Sequence, residues 1–514
     1  MPVTPGPDEL RPWWKGWLGV GALVLTAALV AAGALWLVQR ADDAKHCVQG
    51  EAGLVWTGSG AERECVGVMS EKPFTFDPRL KDITDRIAQE NQRVRDQWEK
   101  PGAGKRPVPY VKVAVMMPMT TSDTGALPIE EIKSSLQGAY IGQCRANVCP
   151  ALPDDSPGVH GTTPQIQLLL ASEGRHQDHW RPVVEQLDEM TGGSHPLVAV
   201  TGLGISIPET QAAAAELSKR NIPAIGAVLT ATDLDAKHLF KVSPSNLDYA
   251  RALRQHLDKL PADQRRAYLV FDSRNDNFVQ TMRKAYDEVF PDYVDKRWAS
   301  FVGTTGHADQ GQPGLFFNAV NNICQTRTEL VLYAGRGRDL PGFIKALSTR
   351  AQCGHNRPVT IATGSTGSVQ QAQKVAELLK RSDITILEAS AADAENWIKG
   401  VHAPTGFKPF YQSFKDLKFP DTVLSDGYAV MHHDAVLVAV WATRMVTSQT
   451  GRENPGVEDV YNQITNLHDA GRVPVASGDL SFDHASSGWP HNKPVPMIQL
   501  PPAGGSPAPP YRTP

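Results

Sequence analysis

The stretch Leu197–Ser206 (LVAVTGLGIS), with an amphipathic run from Glu209 to Arg220 and a short apolar run from Ala224 to Ala227, decides the fold. The first and third runs are apolar and bounded by turn residues, as strands buried on both faces are. The middle run reads as a helix. Working outward, the same alternation repeats. Val111 to Met117 (VKVAVMM) reads as a strand, Ile129 to Arg145 as a helix, Pro164 to Ala171 as a strand and His179 to Thr191 as a helix. Downstream it restarts with the helix Arg251 to Lys259, the strand Arg266 to Phe271 and the helix Phe278 to Phe290. It continues through Leu330 to Tyr333, Pro341 to Arg350, Thr360 to Ala362, Val369 to Arg381, Ile384 to Leu387 and Tyr428 to Thr447. Strands alternating with helices specify an α/β fold of parallel sheets covered on both faces, and there are too many units for one open sheet. Two α/β lobes follow.

The 514 residues, 41% hydrophobic and 21% charged, exclude a disordered chain and provide for two or three domains. A formal charge of −4 argues against nucleic acid as a partner. The mean hydropathy of −0.29 excludes a multi-span transporter and leaves room for one membrane segment. Trp17 to Val38 (WLGVGALVLTAALVAAGALWLV) supplies it: 22 uncharged residues, enough to cross a hydrocarbon core of about 30 Å. Trp13, Trp14, Trp17 and Trp36 lie at its two ends, as interfacial indoles do. The alternative is a cleavable signal peptide, whose apolar core runs about 7 to 15 residues, shorter than this one. Cys47 follows Ala44-Lys45-His46, which is not a lipidation signal. Residues 1–16 then form a short cytoplasmic tail and 17–38 a transmembrane helix, with the main domain outside the cell.

Six cysteines fall into three sequence-local pairs, read as the disulfides Cys47–Cys65, Cys144–Cys149 and Cys324–Cys353 in an oxidising compartment. Residues 39–109 read as a juxtamembrane region holding the first pair. Its helix, from Pro78 to Lys100, carries Leu80, Ile83, Ile87 and Val94 at helical spacing, and a linker begins at Pro101. Gly303 to Gln312 and Ser477 to Lys493 are loop-rich, and 501–514 (PPAGGSPAPPYRTP) reads as a disordered Pro-rich tail.

Taken in order, several strings resemble the type I periplasmic binding proteins, the Leu/Ile/Val-type solute receptors of ABC importers. They are Val115 to Thr124, Gly138-Ala139, Leu168 to Ala171, Val198 to Ser206 with Thr210 and Ala212, and Asn221 to Ile225. They continue as Phe240 to Ser245, Ala267 to Asp272, Leu330 to Gly335, Val359 to Gly364, Tyr428 with Asp434-Ala435, and Ser477 to Asp483. The resemblance covers about residues 110–500. It implies two Rossmann-like lobes of doubly wound parallel sheet joined by a three-crossover hinge. Lobe I would comprise about 110–244 and 367–474, and lobe II about 245–366 and 475–500. A small-molecule ligand would sit in the cleft and the lobes would close over it. Ligands of open α/β sheets lie outside the carboxyl ends of the strands, which is independent support for that place.

By the same resemblance Ser206 and Thr230 fall where a ligand carboxylate is held, Asn246 where an acidic ammonium anchor lies, Asp276 and Arg336 near tyrosine positions, and Thr366 at a glutamate position. An amide in place of a carboxylate and an added guanidinium make a poor ammonium site. An anionic ligand is then one option, with Arg336 and Arg338 as guanidinium donors. Two structural alternatives stay open: Ser206 as an N-cap of the helix beginning near Pro208, and Arg338–Asp339 as a surface cap.

Other chemistry is weak. His432-His433-Asp434 are adjacent on a helix and point about 100° apart, so they do not converge on one metal. Gly202-Leu-Gly204 lacks the third glycine of a dinucleotide fingerprint, the Gly-Lys at 104–105 is no phosphate loop, and Gly364-Ser-Thr-Gly367 is no nucleophile elbow. No cofactor, metal or catalytic residue is assigned. The reading is a membrane-anchored extracellular solute-binding protein, partnered through the resemblance by an ABC permease. The alternative is a sensing or protein-interaction ectodomain that reports to a signalling protein.

Overall fold

The computed structural model describes residues 46–48, 53–69, 72–153, 156, 158–294, 297–305, 315–353, 357–482, 487–502, 504–505 and 507–514. The expected cytoplasmic tail and membrane helix at 1–38 lie outside them. Among the described residues no helix is long and apolar enough to cross a membrane.

The first sheet contains β1 (Leu54–Thr57), β2 (Glu64–Met69), β3 (Tyr110–Met117), β4 (Gln165–Ser172), β5 (Leu197–Gly202), β6 (Ala224–Gly226) and β7 (Leu239–Lys241), in the spatial order β1-β2-β4-β3-β5-β6-β7. From β4 to β7 all neighbours are parallel. On β3, Val111, Val113, Val115 and Met117 enter one buried cluster and Ala114 and Met116 the other. This two-sided burial is why the strand shows no polar alternation. The second sheet contains β8 (Ala267–Asp272), β9 (Trp298–Phe301), β10 (Leu330–Ala334), β11 (Val359–Gly364) and β12 (Ile384–Ala389), parallel throughout in the order β12-β11-β10-β8-β9. After β13 (Val473–Val475), β14 (Gly478–Leu480) and β15 (Pro494–Val495), the strand β16 (Met497–Leu500) adds antiparallel to β12.

Three sequence expectations are corrected. Residues 39–109 are no separate juxtamembrane unit, because β2 pairs with β4 and the helix Lys81–Glu99 packs against β4 and the helix Ile129–Asn147, burying Ile83, Ile87 and Val94. The lobe division at 366/367 falls too early. Strand β12 pairs with β11, so the second lobe runs on to residue 389, and the helices Phe407–Asp416 and Tyr428–Thr450 return to the first lobe. The tail 501–514 is not disordered: β17 (Tyr511–Arg512) pairs antiparallel with β15, and the buried Thr513 hydroxyl accepts from Lys493 N–H (2.9 Å) and donates to the Pro490 carbonyl (2.9 Å). Proline removes donors from such a segment but leaves its carbonyls and extended geometry intact, which an edge strand tolerates.

The helix Tyr428–Thr450 holds the first lobe together. It lies so close to Ile129–Asn147 that a Cβ on Gly138 would come within 2.0 Å of the Ala429 carbonyl oxygen, so only glycine fits there. His432 and His433 on this helix are buried, not metal-facing. His433 Nδ1 donates to Asp434 (2.7 Å), its Nε2 accepts from Arg145 (2.8 Å), and burial holds its pKa down to about 4. Asp434 also accepts from the backbone N–H of Ala476 (2.9 Å) and Ser477 (2.8 Å) and from the Ser477 hydroxyl (2.5 Å), to which Lys493 Nζ also donates (2.5 Å). Arg444, 1% exposed, donates to the carbonyls of Ala146, Val159, Gly161 and Pro164 at 2.8 to 3.2 Å.

Disulfides Cys47–Cys65 and Cys144–Cys149 are present. Cys324 is disulfide-bonded, and the side chain of its expected partner Cys353 lies outside the described residues. Two measurements check this account. Non-reducing peptide mapping recovers a Cys324–Cys353 crosslink, and a free thiol at Cys324 contradicts it. Arg444→Ala lowers stability in urea unfolding by at least about 3 kcal/mol, because several buried carbonyls lose their donor at once.

Candidate functional site

A cleft of about 600 Å³, measured out to its open mouth, lies between the lobes and is lined from both. Its first-lobe wall begins where β5 ends. Gly202, Leu203 and Gly204 all have positive φ (91°, 61° and 58°) and reverse the chain there. Gln177, fully buried, fixes this loop: its Oε1 accepts from Ile205 N–H (3.1 Å), and its Nε2 donates to Glu173 (2.9 Å) and to the Thr210 hydroxyl (2.9 Å).

Ser206 is thereby set against the 230 loop, where its Oγ accepts from the backbone N–H of Thr230 (3.1 Å) and Ala231 (3.3 Å). It does not cap the helix Pro208–Lys219, whose N-cap position is Ile207. Thr230, only 3% exposed, also lines the cleft, and its buried hydroxyl has no hydrogen-bond partner among the described residues. An orphaned buried hydroxyl facing a cavity is a costly feature unless something enters to pair with it.

On the opposite wall Arg336 follows β10. Its Nε and Nη2 form a two-pronged ion pair with Asp276 (2.7 and 3.0 Å), Nη2 also donates to the Ser206 carbonyl (2.8 Å), and the guanidinium carbon lies 5.1 Å from the Phe278 ring centroid. Asp276 additionally caps the helix Asn277–Val289 by accepting from Val279 N–H (3.2 Å). Arg338 Nη1 donates to the carbonyls of Gly125 (2.6 Å) and Asp123 (3.1 Å), so it spans the lobes and is no surface cap. Asp339 instead accepts from the hydroxyl of Thr304 (2.7 Å). Thr366 lines the cleft and shares a hydrogen bond with the Tyr249 hydroxyl (3.2 Å).

Of the six residues expected at the ligand, Ser206, Thr230, Arg336 and Thr366 line the cleft, whereas Asp276 and Asn246 do not. Asp276 sits behind Arg336 as its counter-charge. Asn246 is fully buried and ties two second-lobe helices, donating to the Phe278 carbonyl (2.9 Å) and the Thr281 hydroxyl (2.8 Å). Sequence reasoning missed Glu131 and Thr305. Glu131 accepts from Gln371 Nε2 (3.0 Å), and burial raises its pKa, opposed by the Gln371 hydrogen bond and by Arg338. Nothing in the run Ile129-Glu-Glu-Ile132 distinguishes it from its exposed neighbour Glu130. The Thr305 hydroxyl is buried without a partner among the described residues, in a loop whose sequence marks it as a loop but not as part of a site.

Glu173, under the 203–206 loop, is pushed up to about 8 by burial, against the Gln177 hydrogen bond and with help from Glu209 and Asp178. Its folded-state pKa exceeds the ordinary 4.5, so its contribution to stability is complete below about 4.5 and is lost as pH rises towards about 8. Glu173→Gln, which keeps a hydrogen-bonding amide, flattens the fall in Tm between pH 5 and 8 by roughly 2 °C or more in thermal melts. An unchanged slope contradicts the assignment.

No protein-family model and no curated protein sequence matches the chain. Solved structures do. The branched-chain amino acid transporter substrate binding protein LivJ of Streptococcus pneumoniae, in complex with isoleucine, superposes with a TM-score of 0.54 at 15% identity, covering 76% of this chain and 95% of that one. A leucine binding protein of Thermotoga maritima gives 0.51 at 14%, covering 75% and 94%. A solute binding protein of an ABC transporter from Rhodopseudomonas palustris, in complex with p-hydroxybenzoic acid, gives 0.57 at 11%, covering 79% and 97%. At these identities the likeness establishes architecture, and the architecture is that of the type I periplasmic binding proteins.

Proposed function

We propose that this chain is a non-enzymatic solute receptor, anchored in the membrane by Trp17 to Val38 with its lobes outside the cell, that captures a small anionic ligand for an ABC permease. The observation that carries this reading is the Thr230 hydroxyl, buried on a cleft residue with no partner among the described residues. Around it the hydroxyls can donate or accept, and the arginines can only donate. Thr305 supplies a second unpartnered hydroxyl, and the two arginines on the lining have nitrogens beyond those already engaged. Asp276 is matched by Arg336, and Glu131 accepts from Gln371. The guanidinium N–H groups favour a ligand rich in acceptors. Leu127, Ile205, Val228 and Phe278 give the ligand an apolar wall. The Rhodopseudomonas neighbour, whose ligand is a carboxylic acid without an ammonium, shows that this architecture accommodates such chemistry.

One observation favours a second reading. The Ser206 hydroxyl and the Arg336 guanidinium, two groups that would face a ligand, are engaged within the chain. A cleft emptied of its receptor role would leave a sensing or partner-binding ectodomain.

Native mass spectrometry and thermal shift on the full chain in detergent separate the two. A receptor shows a stoichiometric small-molecule adduct or stabilisation by organic acids, and Thr230→Val weakens binding by about tenfold or more. No adduct, with no stabilisation by organic acids, amino acids or sugars, transfers the assignment to the partner-binding reading.

A further inference from the structure

We infer that the two lobes latch shut without a ligand, through Arg336 and Arg338. In a ligand-driven clamp the ligand provides the bonds that bridge the lobes. Here the chain provides them itself. The Ser206 carbonyl, in the first-lobe loop that follows β5, accepts from two second-lobe donors, Arg336 Nη2 (2.8 Å) and the backbone N–H of Phe278 (3.2 Å). Arg338, two residues further along, reaches the first-lobe carbonyls of Gly125 and Asp123 (2.6 and 3.1 Å). Two further bonds join the lobes, from Gln371 to Glu131 (3.0 Å) and from Asn277 to Gln211 (3.1 Å).

The charge arrangement makes this a latch rather than a vacancy. Asp276 belongs to the same lobe as Arg336 and holds its guanidinium by two bonds, with the Phe278 ring beneath it. The side chain is therefore already neutralised and oriented before the lobes meet. Closing adds the Ser206 carbonyl to a preset fork, so little conformational freedom is lost at that step. A ligand must then wait for spontaneous opening, and its apparent affinity is reduced by the fraction of open molecules. This device is independent of whether the cleft takes a solute, so its failure and that of the receptor reading are told apart by different measurements.

The Phe278 amide is a reporter, because it donates across the cleft only when the lobes are closed. Hydrogen exchange is measured by mass spectrometry on the full chain in detergent, shown by its native mass to be free of small molecules, and on Arg336→Ala/Arg338→Ala. In the wild type the Phe278 amide exchanges at least about tenfold more slowly than in the double variant, while amides of the core strands β3 and β10 keep equal protection in both. Equal rates at Phe278, whether both fast or both slow, overturn the latch. Should the double variant lose protection in β3 and β10, Arg336→Lys replaces it. That substitution keeps the charge opposite Asp276 but removes the planar fork to Ser206, and the same comparison decides.

Discussion

A guanidinium placed between two lobes must be neutralised where it stands, and the pairing of Arg336 with Asp276 meets that requirement. The two side chains are only 12% and 6% exposed, so an unmatched charge at either would be costly. Much of the cleft follows from this pair. Asp276 sits at the N-cap of the helix Asn277–Val289, whose second residue, Phe278, both stacks beneath the guanidinium and donates its N–H to the Ser206 carbonyl. One ion pair thus fixes a helix start, an aromatic wall and the approach of the opposite lobe. It also decides what the cleft offers a ligand, since an arginine already matched by its own carboxylate adds hydrogen-bond donors without adding net charge.

The first lobe has its own fixed point in Asp434. Its carboxylate accepts from His433, from two backbone amides at 476–477 and from the Ser477 hydroxyl, which joins the helix Tyr428–Thr450 to the turn between β13 and β14. Lys493, fully buried, reaches the same hydroxyl and so connects this hub to the chain segment that crosses back to the second lobe. The hub is a set of mutually satisfied buried groups.

Much of the fold was legible in the chain because buried parallel strands have a local signature. Val111–Met117 and Leu197–Gly202 are short apolar runs, and their neighbours are amphipathic at helical spacing. Ser206 and Thr230 were legible as cleft residues because they directly follow such strands, and the ends of strands mark where ligands meet this kind of sheet. Asn246 and Asp276 were misplaced because one helical position separates a group facing the cleft from one facing the neighbouring helix, and no local pattern records that difference. The two N-terminal strands and the C-terminal strand β17 escaped for a related reason. Leu54–Thr57 and Tyr511–Arg512 are only four and two residues long, too short for a periodic signal, and pair with β2 and β15.

By itself, then, the sequence determined the alternation of strands and helices, the three local cysteine pairings as an expectation, and the two-lobed α/β class, all consequences of periodicity and proximity along the chain. Only the tertiary structure decided that β12 belongs to the second lobe, that the proline-rich C-terminus is pinned by Thr513, and that Arg336 is matched by Asp276 and bridges to Ser206. Each of these depends on partners between 20 and 130 positions apart along the chain or on which of several compatible surfaces comes to rest against another. The free energy that selects among them is that of burying charges and carbonyls with their bonds satisfied, a condition met only once the elements have packed.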